Sequence, residues 1–191
     1  MKTATRLFIL LTAAAGTGFF LFSCNKNNST GSGHLQVMLT DGPAEYDAVY
    51  IDVQKVEVNV SSDSGTSTGW QTVNLLRPGV YNLLAFSNGI DTLLAAADLP
   101  AGTLSQMRLV LGDSNSVVIA GQSYPLKTPS AQQSGLKFNI HSTLTANIVY
   151  RLWIDFDANR SIVSTGSGKY LLKPVLRTYS EAIGGSIKGY V

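Results

Sequence analysis

Oxygen-bearing side chains recur at alternate positions in one segment of the chain, where Asp155, Asp157 and Asn159 are followed by Ser161. This spacing is typical of the first half of a calcium-binding loop, because Ca²⁺ coordinates six to eight oxygen ligands. Arg160 stands where an EF-hand loop requires glycine, and the twelfth position holds no glutamate, so the segment is not an EF-hand. A structural calcium ion held by Asp155, Asp157 and Asn159 is therefore a hypothesis, and no other cofactor is predicted.

The carboxylates of this segment also have a second interpretation. In a strand, Asp155 and Asp157 share the face opposite Ile154 and Phe156, because side chains alternate between the two faces. They could then meet carboxylates of neighbouring strands, for which the candidates are Asp41, Asp47 and Asp52. Alternatively, they cap turns or form ion pairs, for which the candidate partners are Arg151, Arg160 and Lys173.

Residue types that catalyse reactions are present, but their spacing is not that of an active site. The two histidines, His34 and His141, are far apart and lack the paired spacing of a zinc site. No Gly-x-Ser-x-Gly motif marks a serine nucleophile. We therefore expect that the protein is not an enzyme. The alternative is a hydrolase of extracellular glycan or peptide that uses Asp155 and Asp157, for which a retaining pair must lie about 5 Å apart beside a sugar cleft.

The start of the chain has the order of a bacterial export signal. Lys2 and Arg6 precede an apolar run over residues 7–22, and Ser23 stands immediately before Cys24. The run is shorter than the roughly 20 residues that a membrane-spanning helix needs. Its end resembles the bacterial lipobox, in which the cysteine thiol is alkylated by diacylglycerol and the new amino terminus is acylated, commonly with palmitate. We therefore predict a signal peptide over residues 1–23 and a lipidated N-terminus at Cys24.

Residues 24–33 are polar and glycine-bearing without apolar periodicity, which is typical of a flexible tether. Removal of Lys2 and Arg6 with the signal leaves 12 basic side chains against 12 acidic ones. This neutral balance predicts no nucleic-acid partner. We expect the mature protein to contact a membrane through the lipid on Cys24. Asn25, next to the cysteine, is compatible with the outer membrane of a Gram-negative bacterium, so the predicted localisation is the cell envelope.

Apolar and polar residues alternate with a period of two in much of the remaining chain, which is typical of strands with one buried face. The clearest examples are residues 136–141 and 148–156. In residues 49–60 the apolar residues change parity, which predicts a β-bulge near Gln54 and Lys55. The sequence therefore predicts strands that are short and locally bent.

Three segments are less regular. Residues 90–99 are compatible with a short helix or an apolar edge strand, and residues 81–86 form an apolar run after a turn. Residues 168–179 are predicted as one strand, in which Pro174 marks an edge or a bulge. Trp70 and Trp153 could stack on sugar rings if exposed, although their spacing favours a core or sheet-face role.

At least eight short strands without a long helix predict an all-β fold, namely an antiparallel β-sandwich of the immunoglobulin or transthyretin-like type with little or no helix. The predicted domain spans residues 34–180. Residues 181–191 are predicted to form a terminal strand, which resembles the opening of a carboxypeptidase-regulatory-like module and would then be truncated. Such a strand could also pair with the sheet edge of a neighbour.

Several further segments carry a family resemblance: residues 39–43, 46–49, 99–102 and 169–175, the strand around Trp70, and above all Asp155-Phe156-Asp157-Ala158 with Ser161. Together they resemble a family of bacterial surface lipoproteins that is catalogued as domain of unknown function 4382. The resemblance extends over residues 33–179 and implies a β-sandwich lipoprotein domain without an assigned activity. With the lipid anchor, it favours a non-enzymatic cell-envelope module that binds or scaffolds a protein or a glycan.

Overall fold

The computed structural model describes residues 31–61, 67–129, 135–166 and 168–183. The predicted signal peptide with its lipidation site, most of the predicted tether and most of the predicted terminal strand lie outside the described residues. Within the part of the chain that is described, no helix is long and apolar enough to cross a membrane.

Strands make up most of the described residues, so the prediction of an all-β protein is confirmed. The strands are β1 (Ser32–Asp41), β2 (Ala48–Ser61), β3 (Ser67–Leu75), β4 (Gly79–Asn82), β5 (Thr92–Pro100), β6 (Gly102–Leu111), β7 (Ser116–Ile119), β8 (Gln122–Lys127), β9 (Leu136–Leu144), β10 (Val149–Phe156), β11 (Ile162–Ser164), β12 (Tyr170–Leu172) and β13 (Leu176–Ile183). Helix is limited to a 3-10 turn (Leu83–Phe86) and one turn of α-helix, α1 (Ala158–Ser161), among the residues described.

The alternation of apolar and polar residues in the sequence corresponds to an alternation of buried and accessible side chains in the structure. On β1 and β10 every second side chain is buried in the core, and these are Leu35, Val37 and Leu39, and Leu152, Ile154 and Phe156. The inner faces of all the longer strands contribute to one continuous apolar cluster. Complete burial of each such side chain contributes roughly 1.5–3 kcal/mol, which explains why these strands keep one face inward.

The strands form one large, curled and mixed sheet. Along its main path the order is β11-β12-β8-β7-β2-β3-β5-β1-β10-β13, while β6 pairs with β2 and β9, and β4 pairs with β2. Two pairings, β1 with β10 and β12 with β8, are parallel, which departs from the purely antiparallel arrangement that was predicted. Parallel partners need long crossovers, and periodicity along the chain does not report them. The immunoglobulin or transthyretin-like type stays a prediction.

The sheet curls so that β9, at the end of the branch through β6, lies beside β13, at the end of the main path. Ser142 Oγ on β9 lies 2.9 Å from Ser180 Oγ on β13, although the strands are far apart along the hydrogen-bonded path. Bulges produce part of this curvature. The register of β2 against β6 shifts between Val53 and Lys55, which confirms the predicted bulge. A second irregularity, where His141 adopts a φ of 55°, interrupts β9 and was not predicted.

The less regular segments have simple structural outcomes. Residues 92–100 form strand β5 rather than a helix. The apolar run 81–86 is divided between β4 and the 3-10 turn, because the Asn82 side chain accepts a hydrogen bond from Leu84 N and caps that turn. The segment around Pro174 separates β12 from β13, so the single predicted strand is two strands in different parts of the sheet.

Candidate functional site

The aspartate segment lies where β10 ends and α1 begins. Asp157 caps α1, because its Oδ1 accepts a hydrogen bond from Arg160 N at 3.0 Å. Its Oδ2 lies 3.9 Å from Arg160 Nη1 and 3.7 Å from Arg177 Nη2. The capping interpretation is therefore confirmed for Asp157.

Asn159 is an exposed residue of α1. No group of three or more His, Cys, Asp or Glu residues suited to a metal occurs among the described residues, and the calcium hypothesis stays a prediction.

Of the three carboxylates predicted to converge on this segment, only Asp41 does so. Its Oδ1 accepts a hydrogen bond from Ala158 N at 2.9 Å, which ties the end of β1 to α1. Asp47 instead accepts a hydrogen bond from Gly121 N, and Asp52 accepts bonds from Gln54 and Ser114 N. The Asp41 contact joins two of the segments that carry the family resemblance.

The Asp41 carboxyl is in an unusual environment. Its residue is 5 % exposed, and its Oδ2 has no hydrogen-bond partner. Burial raises the pKa of Asp41 to about 6, assisted by the nearby charges of Asp155 and Asp157 and opposed by the backbone hydrogen bonds it accepts. A carboxylate that loses its hydration without full compensation prefers to be protonated. Asp41 therefore titrates between weakly acidic and neutral pH.

Ser161 makes this segment a structural junction. Its Oγ donates to Asp157 O at 2.6 Å and accepts from Val175 N at 2.8 Å. Its carbonyl accepts from Lys173 N at 2.7 Å. Ser161 is fully buried. These bonds hold the connection between β12 and β13 against α1, so the oxygen-rich spacing serves capping and strand joining here.

A second feature is an aromatic ladder on the outer face of the sheet. The register pairs Met38 on β1 with Leu93 on β5 and with Trp153 on β10, and pairs Trp153 with Tyr179 on β13. These four side chains are here termed the aromatic stripe. Met38 and Trp153 stand between buried neighbours on their strands and so face outward, and Tyr179, opposite Trp153, is exposed. The Trp153 and Tyr179 rings are stacked, with centroids 5.2 Å apart and planes 7° apart. Tyr179 is 52 % exposed, which makes it the most accessible aromatic ring of the stripe.

The stripe is held by polar contacts at its edge. Trp153 Nε1 donates to Asp91 Oδ2 at 2.7 Å, which orients the indole ring. Thr40 Oγ1 lies 3.0 Å from the carbonyls of Phe86 and Ile90, which fixes the loop that carries Asp91 over β1. Partial burial, followed by the charges of Asp155 and Asp91, raises the pKa of the Tyr179 phenol.

A family assignment follows from the match between this chain and known families. The family model named Domain of unknown function (DUF4382) matches residues 32–174, well over half of the chain, including the Asp41–Ala158 junction and Trp153. The chain belongs to the DUF4382 family. The resemblance expected from the sequence is thereby confirmed. No curated protein and no solved structure matches the chain.

Polar rows flank the aromatic stripe of this DUF4382 domain on both sides. One row contains Gln36, Arg151 and Glu181, and the other contains Thr40, Asp155 and Arg177. Arg151 Nε donates to Gln36 Oε1 at 3.2 Å, so the first row is partly ordered before any ligand arrives. The outer face of β1, β10 and β13 therefore presents an apolar strip with a row of polar side chains on each side. Trp153 was a candidate for sugar stacking in the sequence, but the sequence could not show that Tyr179 and Met38 stand beside it.

The DUF4382 domain also has a cavity of about 590 Å³ beside the end of β6 and along β8. Its polar lining includes Asp113, Asn115, Lys127 and Thr128. The Asn115 side chain is already committed, because it accepts from Asp52 N at 2.9 Å and donates to Gly112 O at 2.7 Å. The described lining residues do not include Asp155 or Asp157, the two carboxylates of the hydrolase alternative.

Proposed function

We propose that this DUF4382 domain is a non-enzymatic binding module, held at the outer membrane by a lipid on Cys24, whose aromatic stripe binds a glycan. The observation that carries the proposal is the Trp153–Tyr179 stack, with Tyr179 half exposed on the outer face of paired strands. Large exposed aromatic rings are costly to leave in water, and they commonly mark sites of contact with a ligand.

The chemistry of the stripe suits a saccharide. A pyranose ring presents one face of C–H groups, which pack on an aromatic ring, and a rim of hydroxyls, which need hydrogen-bond partners. Trp153 and Tyr179 supply the aromatic surface. Asp155, Arg151 and Gln36 in the flanking rows supply donors and acceptors within the same face. The combination gives orientation as well as contact area.

The lipid on Cys24 would place the aromatic stripe at the cell envelope. Two or three acyl chains on one cysteine hold a protein on a bilayer durably, because each buried methylene contributes about 0.8 kcal/mol. A polar tether then lets the domain stand away from the lipid surface. A binding module in this position would retain glycan at the cell envelope without processing it.

The first test concerns the anchor. We expect the full-length protein to fractionate with the outer membrane, and the Cys24→Ser variant to lose incorporation of a labelled palmitate analogue, because serine offers no thiol for diacylglycerol transfer. Metabolic labelling followed by membrane fractionation measures both. A wild-type protein that takes up no label would contradict the anchor, whatever the domain binds.

The second test concerns the stripe. We expect the full-length protein in detergent to be retarded in native gels containing soluble xylan, mannan or hydroxyethyl cellulose. Tyr179→Ala and Trp153→Ala should weaken this binding about five- to tenfold, because one ring contact contributes roughly 1 kcal/mol. Tyr170→Ala is the matched control, since Tyr170 pairs with Tyr124 away from the stripe.

Two results would contradict the stripe proposal. One is retardation that is equally strong in Tyr179→Ala, in Trp153→Ala and in the control. The other is shortening of the polysaccharide by the wild-type protein that disappears in Asp155→Asn, which would establish the hydrolase alternative. Thermal unfolding of each variant confirms that lost binding does not reflect lost folding.

A further inference from the structure

A different outer face of the sheet concentrates positive charge around a tryptophan. This basic face is formed by β3, β2, β6 and β9, whose cross-strand register aligns two rows of outward side chains. One row contains Thr72, Glu57, Arg108 and Lys137, and the other contains Trp70, Asn59, Gln106 and Asn139. Lys55 lies two residues before Glu57 on the same side of β2. The aromatic stripe uses none of these residues.

The centre of the basic face is the Trp70 ring. The Arg108 guanidinium carbon lies 4.6 Å from the ring centroid, and Lys137 Nζ lies 6.0 Å from it. Both distances fall in the range where a cation is attracted to an aromatic face. The ring therefore holds two cations close together, although their mutual repulsion opposes that arrangement.

One carboxylate is shared among the cations of this face. Glu57, whose side chain is only 9 % exposed, accepts hydrogen bonds from Arg108 Nε at 2.6 Å and from Lys55 Nζ at 3.1 Å. Lys137 is exposed, and no described carboxylate lies within ion-pair distance of it. Three cations against one carboxylate leave an excess of two positive charges, in a mature chain whose basic and acidic residues balance.

We propose that the basic face binds an anionic polysaccharide that carries carboxylate groups, such as a uronic-acid polymer. Lys137 and the N–H groups of Arg108 that do not bond Glu57 would pair with its carboxylates. The amides of Gln106 and Asn139, which are already hydrogen-bonded to each other at 3.0 Å, lie in the adjacent row where sugar hydroxyls would lie. The two rows run in register across four strands, and such a line of polar groups matches an extended polymer.

The same charge could attract an anionic membrane, but the geometry favours the polysaccharide. Arg108 is held by Glu57 and lies over the Trp70 ring, which is itself half-buried, so this aromatic side chain does not stand free to insert into a bilayer. Membrane-surface binding relies on apolar side chains that insert between headgroups as well as on charge. Apart from Trp70, the two rows of this face contain only polar and charged side chains.

The test uses the full-length protein in detergent, with polygalacturonate as the probe in native affinity gels. We expect retardation that weakens as salt rises from low to physiological concentration, because charge pairs at a surface are screened. Lys137→Glu should weaken binding about tenfold. Lys169→Glu is the matched control, since Lys169 is also exposed and the change in net charge is identical.

Each outcome decides the proposal. Loss of retardation in Lys137→Glu but not in Lys169→Glu supports it, and the neutral Lys137→Met should fall between the two. Equal loss in both variants shows a bulk charge effect and overturns it, as does a wild-type protein that polygalacturonate does not retard. Binding to phosphatidylglycerol vesicles that requires Lys137, without polymer binding, would assign the face to a membrane instead. Trp153→Ala should retain polygalacturonate binding, so this proposal and the stripe proposal can fail separately.

Discussion

Replacing Arg108 with methionine is expected to lower the free energy of unfolding by about 3 kcal/mol. Glu57 is buried on the basic face, and Arg108 supplies its best hydrogen bonds. Burial alone would raise the pKa of Glu57, but the hydrogen bonds and charges of Arg108 and Lys55 outweigh burial and lower it. Removing one partner of a buried ion pair leaves an uncompensated charge, which typically costs 3–5 kcal/mol. The remaining Lys55 contact places the expected loss at the lower end.

Urea unfolding at neutral pH measures this effect, and two further variants interpret it. Lys55→Met should cost less than about 1 kcal/mol, because the Lys55 side chain is half exposed and solvent screens its ion pair. Glu57→Leu combined with Arg108→Met should recover most of the lost stability, because no buried charge is then left unpaired and the half-exposed Lys55 stays hydrated. If Arg108→Met and Lys55→Met destabilised the domain equally, Arg108 would not be the principal partner of Glu57.

Glu57 also gives this region a defined acid response. Because its pKa is lowered in the folded state, its contribution to stability is complete above its ordinary value of 4.5 and is lost as pH falls through the lowered pKa. Arg108→Met should therefore flatten the acid limb of the stability profile. The pKa of Asp41 is shifted in the opposite direction, so its contribution to stability changes with pH in the opposite sense.

Substituting Asp41 with asparagine is expected to stabilise the folded protein near neutral pH, by up to about 3 kcal/mol. The pKa of Asp41 is raised to about 6 from 3.8, so the folded state binds a proton more readily than the unfolded state. The stability associated with this group is complete below pH 3.8 and is lost as pH rises through about 6. Asparagine keeps the acceptor for Ala158 N and carries no charge near Asp155 and Asp157.

The measurement is urea unfolding of wild type, Asp41→Asn and Asp41→Ala at several pH values from 4 to 7.5. Asp41→Asn should be less sensitive to pH across this interval than wild type. Asp41→Ala removes the charge but also leaves Ala158 N without its acceptor, so it should be less stable than Asp41→Asn at every pH. A wild-type profile that rises steadily from pH 4 to 7.5, with the same slope in Asp41→Asn, would show that Asp41 is not protonated preferentially in the folded state.

The junction at Asp41 explains one part of the family pattern in physical terms. The segments around Asp41 and around Asp157 are far apart in sequence, yet the parallel pairing of β1 with β10 ends with Asp41 beside Phe156. The Asp41 carboxylate then accepts from Ala158 N, and Ser161 continues the network to Val175. These oxygen-rich residues hold a strand crossing together. The calcium hypothesis rested on Asp155, Asp157 and Asn159, of which only Asp157 belongs to this network.

The clearest strands, the β2 bulge and the all-β class could be predicted from the sequence. Each depends on a local rule, since alternation with period two reports which face of a strand is buried, and a change of parity reports a bulge. The predicted export signal with Cys24 and the family segments are also local patterns. Family membership followed from those segments and is confirmed over residues 32–174.

Only the tertiary structure decided which strands are neighbours and in which register. Alternation places Met38, Trp153 and Tyr179 on outer faces, but it does not say that they stand side by side on β1, β10 and β13. It likewise shows Glu57 as a polar strand residue and not as a buried carboxylate beneath Arg108. Pairing is selected by how all inner faces fill one core, over separations of more than a hundred residues for β1 and β10. A local pattern carries no information about that choice, and both proposed binding faces depend on it.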